Sequence, residues 1–188
     1  VQSYLAEYYL NLDIASQGID AARRLVELKP ENSHSHLLLA RMLSDSGDQA
    51  LALAAFRKAQ ALSADHSQRD GYQLPFFMGI AYRRAGDIES AIRELSAAIE
   101  LMPHDSFVIK ARANAYWAAE QYELAVADLD KALQIRPFDL SALTWLPLRK
   151  PKTESEQHAL DALVRLVDRV VAIAQDDKAV EALRATSS

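Results

Sequence analysis

The chain has no cysteine. Disulfides, thiolate nucleophiles and cysteine-held metals are therefore excluded within it, while the redox compartment stays open. Long apolar runs are absent too: no stretch approaches the roughly 18–20 residues that a membrane span needs. Glycine is scarce, at five residues, and nothing forms a Gly-rich phosphate loop. No G-x-S-x-G elbow and no H-E-x-x-H pair occurs either. Excess positive charge is missing: 21 Lys and Arg stand against 26 Asp and Glu, for a net charge of −5. Domains that work on nucleic acid are usually basic, so that class is set aside. The chain opens on Val1 and carries no signal-peptide pattern, which reads as a trimmed piece of something longer.

What is present is a repeat. A-G-D-I-E-S-A-I-R-E-L-S-A-A-I-E-L-M-P, from Ala85 to Pro103, returns in pattern as A-E-Q-Y-E-L-A-V-A-D-L-D-K-A-L-Q-I-R-P, from Ala119 to Pro137, 34 residues on. A period of this size marks a solenoid, whose usual work is to hold another molecule along one face. Phasing on Pro103 and Pro137 gives four units at 1–32, 33–66, 72–105 and 106–139. Pro30 closes the first, and Ala64 stands at the proline place of the second. Ser67 to Gly71 falls outside the period and reads as an extended turn.

Within each unit apolar residues recur at three and four spacing, as in Leu39, Ala40 and Leu43, then Ala52, Leu53, Phe56 and Ala59. That spacing predicts two antiparallel helices per unit and an all-α fold. Gly47-Asp48 and Gly86-Asp87 punctuate two of the centres, glycine for the turn and aspartate as N-cap. Pro30, Pro103 and Pro137 stop the second helices.

This pattern resembles the tetratricopeptide repeat. Position 8 of the unit holds Ala6, Ala40, Gly79 and Ala113; position 20 holds Gly18, Ala52, Ala91 and Ala125; position 27 holds Leu25, Ala59, Ala98 and Ala132. Larger residues stand at position 11 (Tyr9, Leu43, Tyr82, Tyr116) and position 24 (Ala22, Phe56, Leu95, Leu129). Small residues let helix backbones approach, and large ones fill the space beside them. The resemblance covers 1–139 and implies a right-handed superhelix of antiparallel helix pairs. Departures are Gln2, His36, Pro75 and Ile109 at position 4, and Arg112 in place of an apolar residue at position 7. Pro75 predicts a helix that is short at its front end.

After Asp139 the period fails. Leu140 to Leu146 opens like a fifth unit, but Pro147 and Pro151 break it. Thr153-Glu154-Ser155-Glu156 reads as a capping box starting a long helix to about Gln175, with Leu160, Leu163, Val167, Val170 and Ala174 on its apolar face. Residues 140–188 are thus a broken fifth unit and a C-terminal capping helix, with folding back into the groove and pairing to a second copy as other uses of that helix. Asp176-Asp177 marks a last short helix with Val180 and Leu183.

Nothing reads as catalysis, so no enzyme activity, cofactor or metal is expected. His34 and His36 point about 200° apart on a helix and do not chelate together. Asp128 and Asp130 are likewise splayed, and read as a solvated face. The resemblance implies a concave groove lined by the first helix of each unit. Carried over, its lining is His34, Leu37, Leu38 and Arg41; then Gln73, Phe76, Phe77, Ile80, Arg83 and Arg84; then Phe107, Lys110, Asn114 and Trp117, with Trp145 beyond. Five aromatics and four cations on one face suggest a protein or peptide partner, an acidic amphipathic helix among them; the alternative is that some of these residues are core or are covered by the chain's own C-terminal helix. Phe77 and Trp117 are the expected hot spots. The family's chaperone clamp is absent: its two frames read Ser3, Glu7, Leu38, Gln73, Phe77 and Leu37, Arg41, Phe77, Phe107, Ala111.

The expected function is a non-enzymatic protein–protein interaction scaffold. The alternatives are the recruiting repeat region of a larger enzyme, such as a sulfotransferase or glycosyltransferase, and a bacterial envelope assembly scaffold. Cytoplasm and periplasm both remain open.

Overall fold

The period folds as helix pairs whose small residues meet face to face. The computed structural model describes residues 15–63, 71–139, 141 and 150–175. Its helices are α1 (Ala15–Leu28), α2 (Ser33–Ser46), α3 (Gln49–Leu62), α4 (Gln73–Arg84), α5 (Ile88–Leu101), α6 (Ser106–Ala118), α7 (Tyr122–Ile135) and α8 (Glu154–Gln175). Among the described residues there is no strand. The chain forms two compact units, 1–103 and 104–188, with the boundary between α5 and α6.

In the first unit α2 pairs with α3 and α4 with α5, α1 packs on α2, and α3 packs on α4. Ala40, Ala52, Ala59, Ala91 and Ala98 have no exposed surface, and Phe56 and Leu95 fill the space they leave. Gly79 has a steric reason: a Cβ there would lie 2.5 Å from Leu95 Cγ, so α4 and α5 meet this closely only without one. In the second unit α6 pairs with α7 and α8 packs on α7. Ala113, Ala125 and Leu129 form a core there with Ala159 and Leu163 of α8.

One turn closes the first helix of all three pairs. Asp48, Asp87 and Gln121 donate their backbone N–H to Leu43, Tyr82 and Tyr116 carbonyls, at 3.0, 3.0 and 2.9 Å. Gly47, Gly86 and Glu120 donate to Ser44, Arg83 and Trp117, at 3.3, 3.1 and 3.0 Å. This is the double bond of a Schellman motif, which needs a left-handed residue at its centre. Gly47 and Gly86 supply it at φ 97° and 85°, and Glu120 adopts it at φ 60°.

The second helices α1, α5 and α7 end two residues before Pro30, Pro103 and Pro137, as the backbone restriction ahead of proline requires. Helix starts are capped by Asn32, Asp87 and Asp105, whose side chains accept from Ser35, Ser90 and Phe107 backbone N–H groups. Asp48 differs from expectation: it precedes α3 but makes no side-chain cap. Pro75 sits in the first turn of α4, which has only 12 residues. At α8 Thr153 Oγ1 accepts from the Glu156 N–H at 3.1 Å. The fully buried Glu156 reaches back to the Lys152 N–H at 2.7 Å, one residue beyond the position a capping box uses.

The first helix of the first repeat, the Ser67 to Asp70 stretch, Ala142 to Arg149 with Pro147, and the short helix with Val180 and Leu183 lie outside the described residues. Among the described residues no helix is long and apolar enough to cross a membrane.

Candidate functional site

In the first unit α2 and α4 lie side by side and enclose a cavity of about 280 Å³. Phe56 floors it from α3, while Phe76, Phe77 and Ile80 wall it from α4. The Phe76 and Phe77 rings sit 5.0 Å apart and tilted by 58°. Both are half-buried, so each keeps part of its face open. The Arg41 guanidinium lies over the Phe77 ring at 4.1 Å, a cation–π contact that spans α2 and α4.

Arg84 completes the rim. Its Nη1 donates to the Ser44 carbonyl at 2.9 Å, to Ser44 Oγ at 3.1 Å and to Asp45 Oδ1 at 2.8 Å. The Ser44 carbonyl is at the end of α2, where a cation is favoured by the helix dipole. Gln49 holds Ser44 from the other side, donating to its carbonyl at 2.8 Å and accepting from its hydroxyl at 3.2 Å. Arg83 is half-buried beside it, and burial, then the charge of Arg84, pulls its pKa below the ordinary arginine value.

The remaining expected residues are distributed differently. In the first unit His34 is exposed and Gln73 half-buried, whereas Leu37 and Leu38 belong to the core. His36 is buried, with Nε2 2.7 Å from the Pro30 carbonyl, so its ring ties α2 to the preceding turn.

In the second unit Phe107 is 54% exposed. Lys110 and Arg136 lie over its ring at 4.4 and 5.2 Å. Asn114 is half-buried.

Like Leu37 and Leu38, two residues of the second unit correct the groove expectation. Lys110 is only 8% exposed and is bound to Asp139 at 2.6 Å and Ser141 at 3.0 Å, so its charge is neutralised internally. Trp117 is also 8% exposed, packed edge-on to Tyr122 at 4.9 Å within the core that α8 covers, so it is a core residue and not an exposed anchor. Trp145 lies outside the described residues. Trp117 is therefore no part of an exposed aromatic patch, while Phe76 and Phe77 belong to the first unit and Phe107 to the second.

Asp128 also departs from the solvated-face expectation. It is 6% exposed and takes both Nε and Nη2 of Arg112 at 2.8 Å. Asp130 pairs with Arg169 of α8. The signal for the first pair was in the sequence, since Arg112 breaks the apolar pattern and a buried cation needs a buried anion. No group of three or more His, Asp or Glu among the described residues is placed to hold a metal ion.

Helix pairs of this length, joined by one repeated turn and packed through small residues, have the architecture of the tetratricopeptide repeat. A family model described as tetratricopeptide repeat matches residues 33–66 and 111–139. Over 138 residues the chain is 27% identical to a tetratricopeptide repeat and J domain-containing co-chaperone of Fusarium oxysporum f. sp. lycopersici, a match covering 72% of the chain and 26% of that relative. The chain thus spans about a quarter of that protein's length. Among solved structures it resembles a thermophilic TPR protein of Thermus thermophilus, with TM-score 0.67 and 18% identity over 87% of this chain and 80% of that one. It also resembles MamA from Desulfovibrio magneticus RS-1, with TM-score 0.70 and 15% identity over 94% and 96%. At these identities the likeness concerns the fold.

Proposed function

We propose that the chain is a non-enzymatic protein-interaction scaffold that takes a peptide or helix of a partner against α2 and α4. The observation that carries this reading is the aromatic-walled cavity between those helices. Half-open rings beside a cavity are what a docking face offers, because buried aromatic contacts dominate interface energies. The four units of the period would serve as the frame, and α8 as the cap of its last pair. The J-domain co-chaperone, itself a handler of proteins by its name, supports a protein partner over a small molecule. Because the chain matches only about a quarter of that relative, the same role fits a recruiting region within a longer protein.

The test is selection of a random peptide display library on the chain, with each enriched peptide then measured against Phe77→Ala. Loss of about 2 kcal/mol of affinity, more than tenfold, is expected for the enriched peptides. Unchanged affinity of all of them for a folded Phe77→Ala chain refutes docking on this face.

A further inference from the structure

The three bonds that fix Arg84 all leave from Nη1. A guanidinium carries five N–H donors. The three on Nε and Nη2 meet no acceptor among the described residues. Nε and Nη2 form the side-on edge that matches the two oxygens of a carboxylate. The chain uses that edge elsewhere, where Arg112 grips Asp128 through Nε and Nη2 at 2.8 Å each. Arg84 itself lines an apolar cavity.

The size of that cavity restricts its occupant. About 280 Å³ has room for one large side chain. Charge restricts it further. Arg41 and Arg84 line the cavity in a chain whose net charge is −5, with Asp45 the only acidic residue among the described ones lining it. A local field of opposite sign draws an acidic partner and repels a basic one.

We propose that the cavity between α2 and α4 is a socket for one large apolar side chain of an acidic partner segment, with a neighbouring carboxylate of that segment seated on the Nε–Nη2 edge of Arg84. This rests on the reading above that the α2–α4 face docks a peptide, and it adds what that peptide must carry. Ser44, Asp45 and Gln49 are positioning residues that hold the guanidinium ready, so that little side-chain freedom is lost on binding.

The probe is an N-acetylated, C-amidated peptide with one phenylalanine flanked on each side by two glutamates, titrated into the full chain by fluorescence anisotropy. Three changes should each weaken binding by about tenfold, as loss of a charge-assisted hydrogen-bond pair or a buried anchor does: phenylalanine to serine, the glutamates to glutamine, and Arg84→Lys in the protein. Arg84→Lys keeps the charge but removes the fork, which separates edge recognition from general attraction. Arg57→Gln, on an exposed position of α3, should leave binding unchanged.

The socket is overturned by equal affinity of Arg84→Lys and the unaltered chain, by equal affinity of the glutamine peptide, by binding that requires a free C-terminus, or by no binding near millimolar peptide. The display selection tells the two failures apart. Enriched peptides that depend on Phe77 but lack an apolar residue beside an acid would overturn the socket and leave docking intact. No Phe77-dependent peptide at all would overturn both.

Discussion

Arg112 and Asp128 meet side by side, Nε to Oδ2 and Nη2 to Oδ1, both at 2.8 Å, and so bind α6 to α7 within the second unit. Asp128 is nearly excluded from solvent, and its hydrogen bond is the main reason the Arg112 pKa is raised. Tyr116 stacks near the same guanidinium, 5.4 Å from its centre. Removing the arginine alone strands a buried carboxylate. Arg112→Ala should therefore cost about 3 kcal/mol, whereas Arg112→Met with Asp128→Leu should come within about 1 kcal/mol of the original. Urea unfolding followed by tryptophan fluorescence measures both, since Trp117 and Trp145 fall within 104–188.

Glu120 occupies the left-handed turn position that glycine holds in the two preceding pairs. A side chain there carries a steric cost of about 1–2 kcal/mol that glycine avoids, part of which glycine returns through its freer unfolded chain. Glu120→Gly should raise the stability of the second unit by about 0.5–1 kcal/mol. Gly47→Ala and Gly86→Ala, which meet no steric contact from a new Cβ, should lose about 1 kcal/mol from backbone strain alone. Chemical denaturation of the three variants gives the signs directly.

Much of the fold was legible because the period encodes packing. Ala40, Gly79 and Ala113 recur at one position since helices in contact tolerate only small residues there, and the structure buries all three. Pro30, Pro103 and Pro137 were legible for a different reason: each ends a helix by backbone sterics, which need no partner. The site was less legible. Lys110 finds Asp139 29 residues away, a pairing set by how the hairpin returns and not by local spacing. Trp117 is covered with the help of Ala159 and Leu163 on α8, an element with no counterpart in the repeat. A repeat pattern describes what neighbouring units do to each other, and it fails where a different element takes the neighbour's place.

Trp117 tests that distinction. As a core residue it should cost about 3–5 kcal/mol when changed to alanine, the usual range for an aromatic removed from a packed interior. Trp117→Phe keeps the edge-on contact with Tyr122 and should lose far less. Thermal unfolding by circular dichroism reads the loss. A Trp117→Ala chain as stable as the original would return this residue to the exposed face.

Acid should loosen the second unit through Asp139. The hydrogen bond from Lys110, and next that from Ser141, hold the Asp139 pKa below the ordinary 3.8. A carboxyl whose folded pKa is depressed adds stability that is fully present above the unfolded value. That contribution declines once the pH drops below 3.8, because the unfolded chain takes up its proton first, and it is gone when the pH passes the folded value. Glu94 in the first unit has the opposite sign: burial raises its pKa, so acid relieves its cost there. Tryptophan fluorescence separates the two, because it reports on 104–188. Urea midpoints by that signal should fall as pH is lowered from about 6 to 3, and the fall should be shallower in Asp139→Asn, which has no proton to take up. Equal slopes in the two proteins would assign the acid sensitivity to other carboxylates.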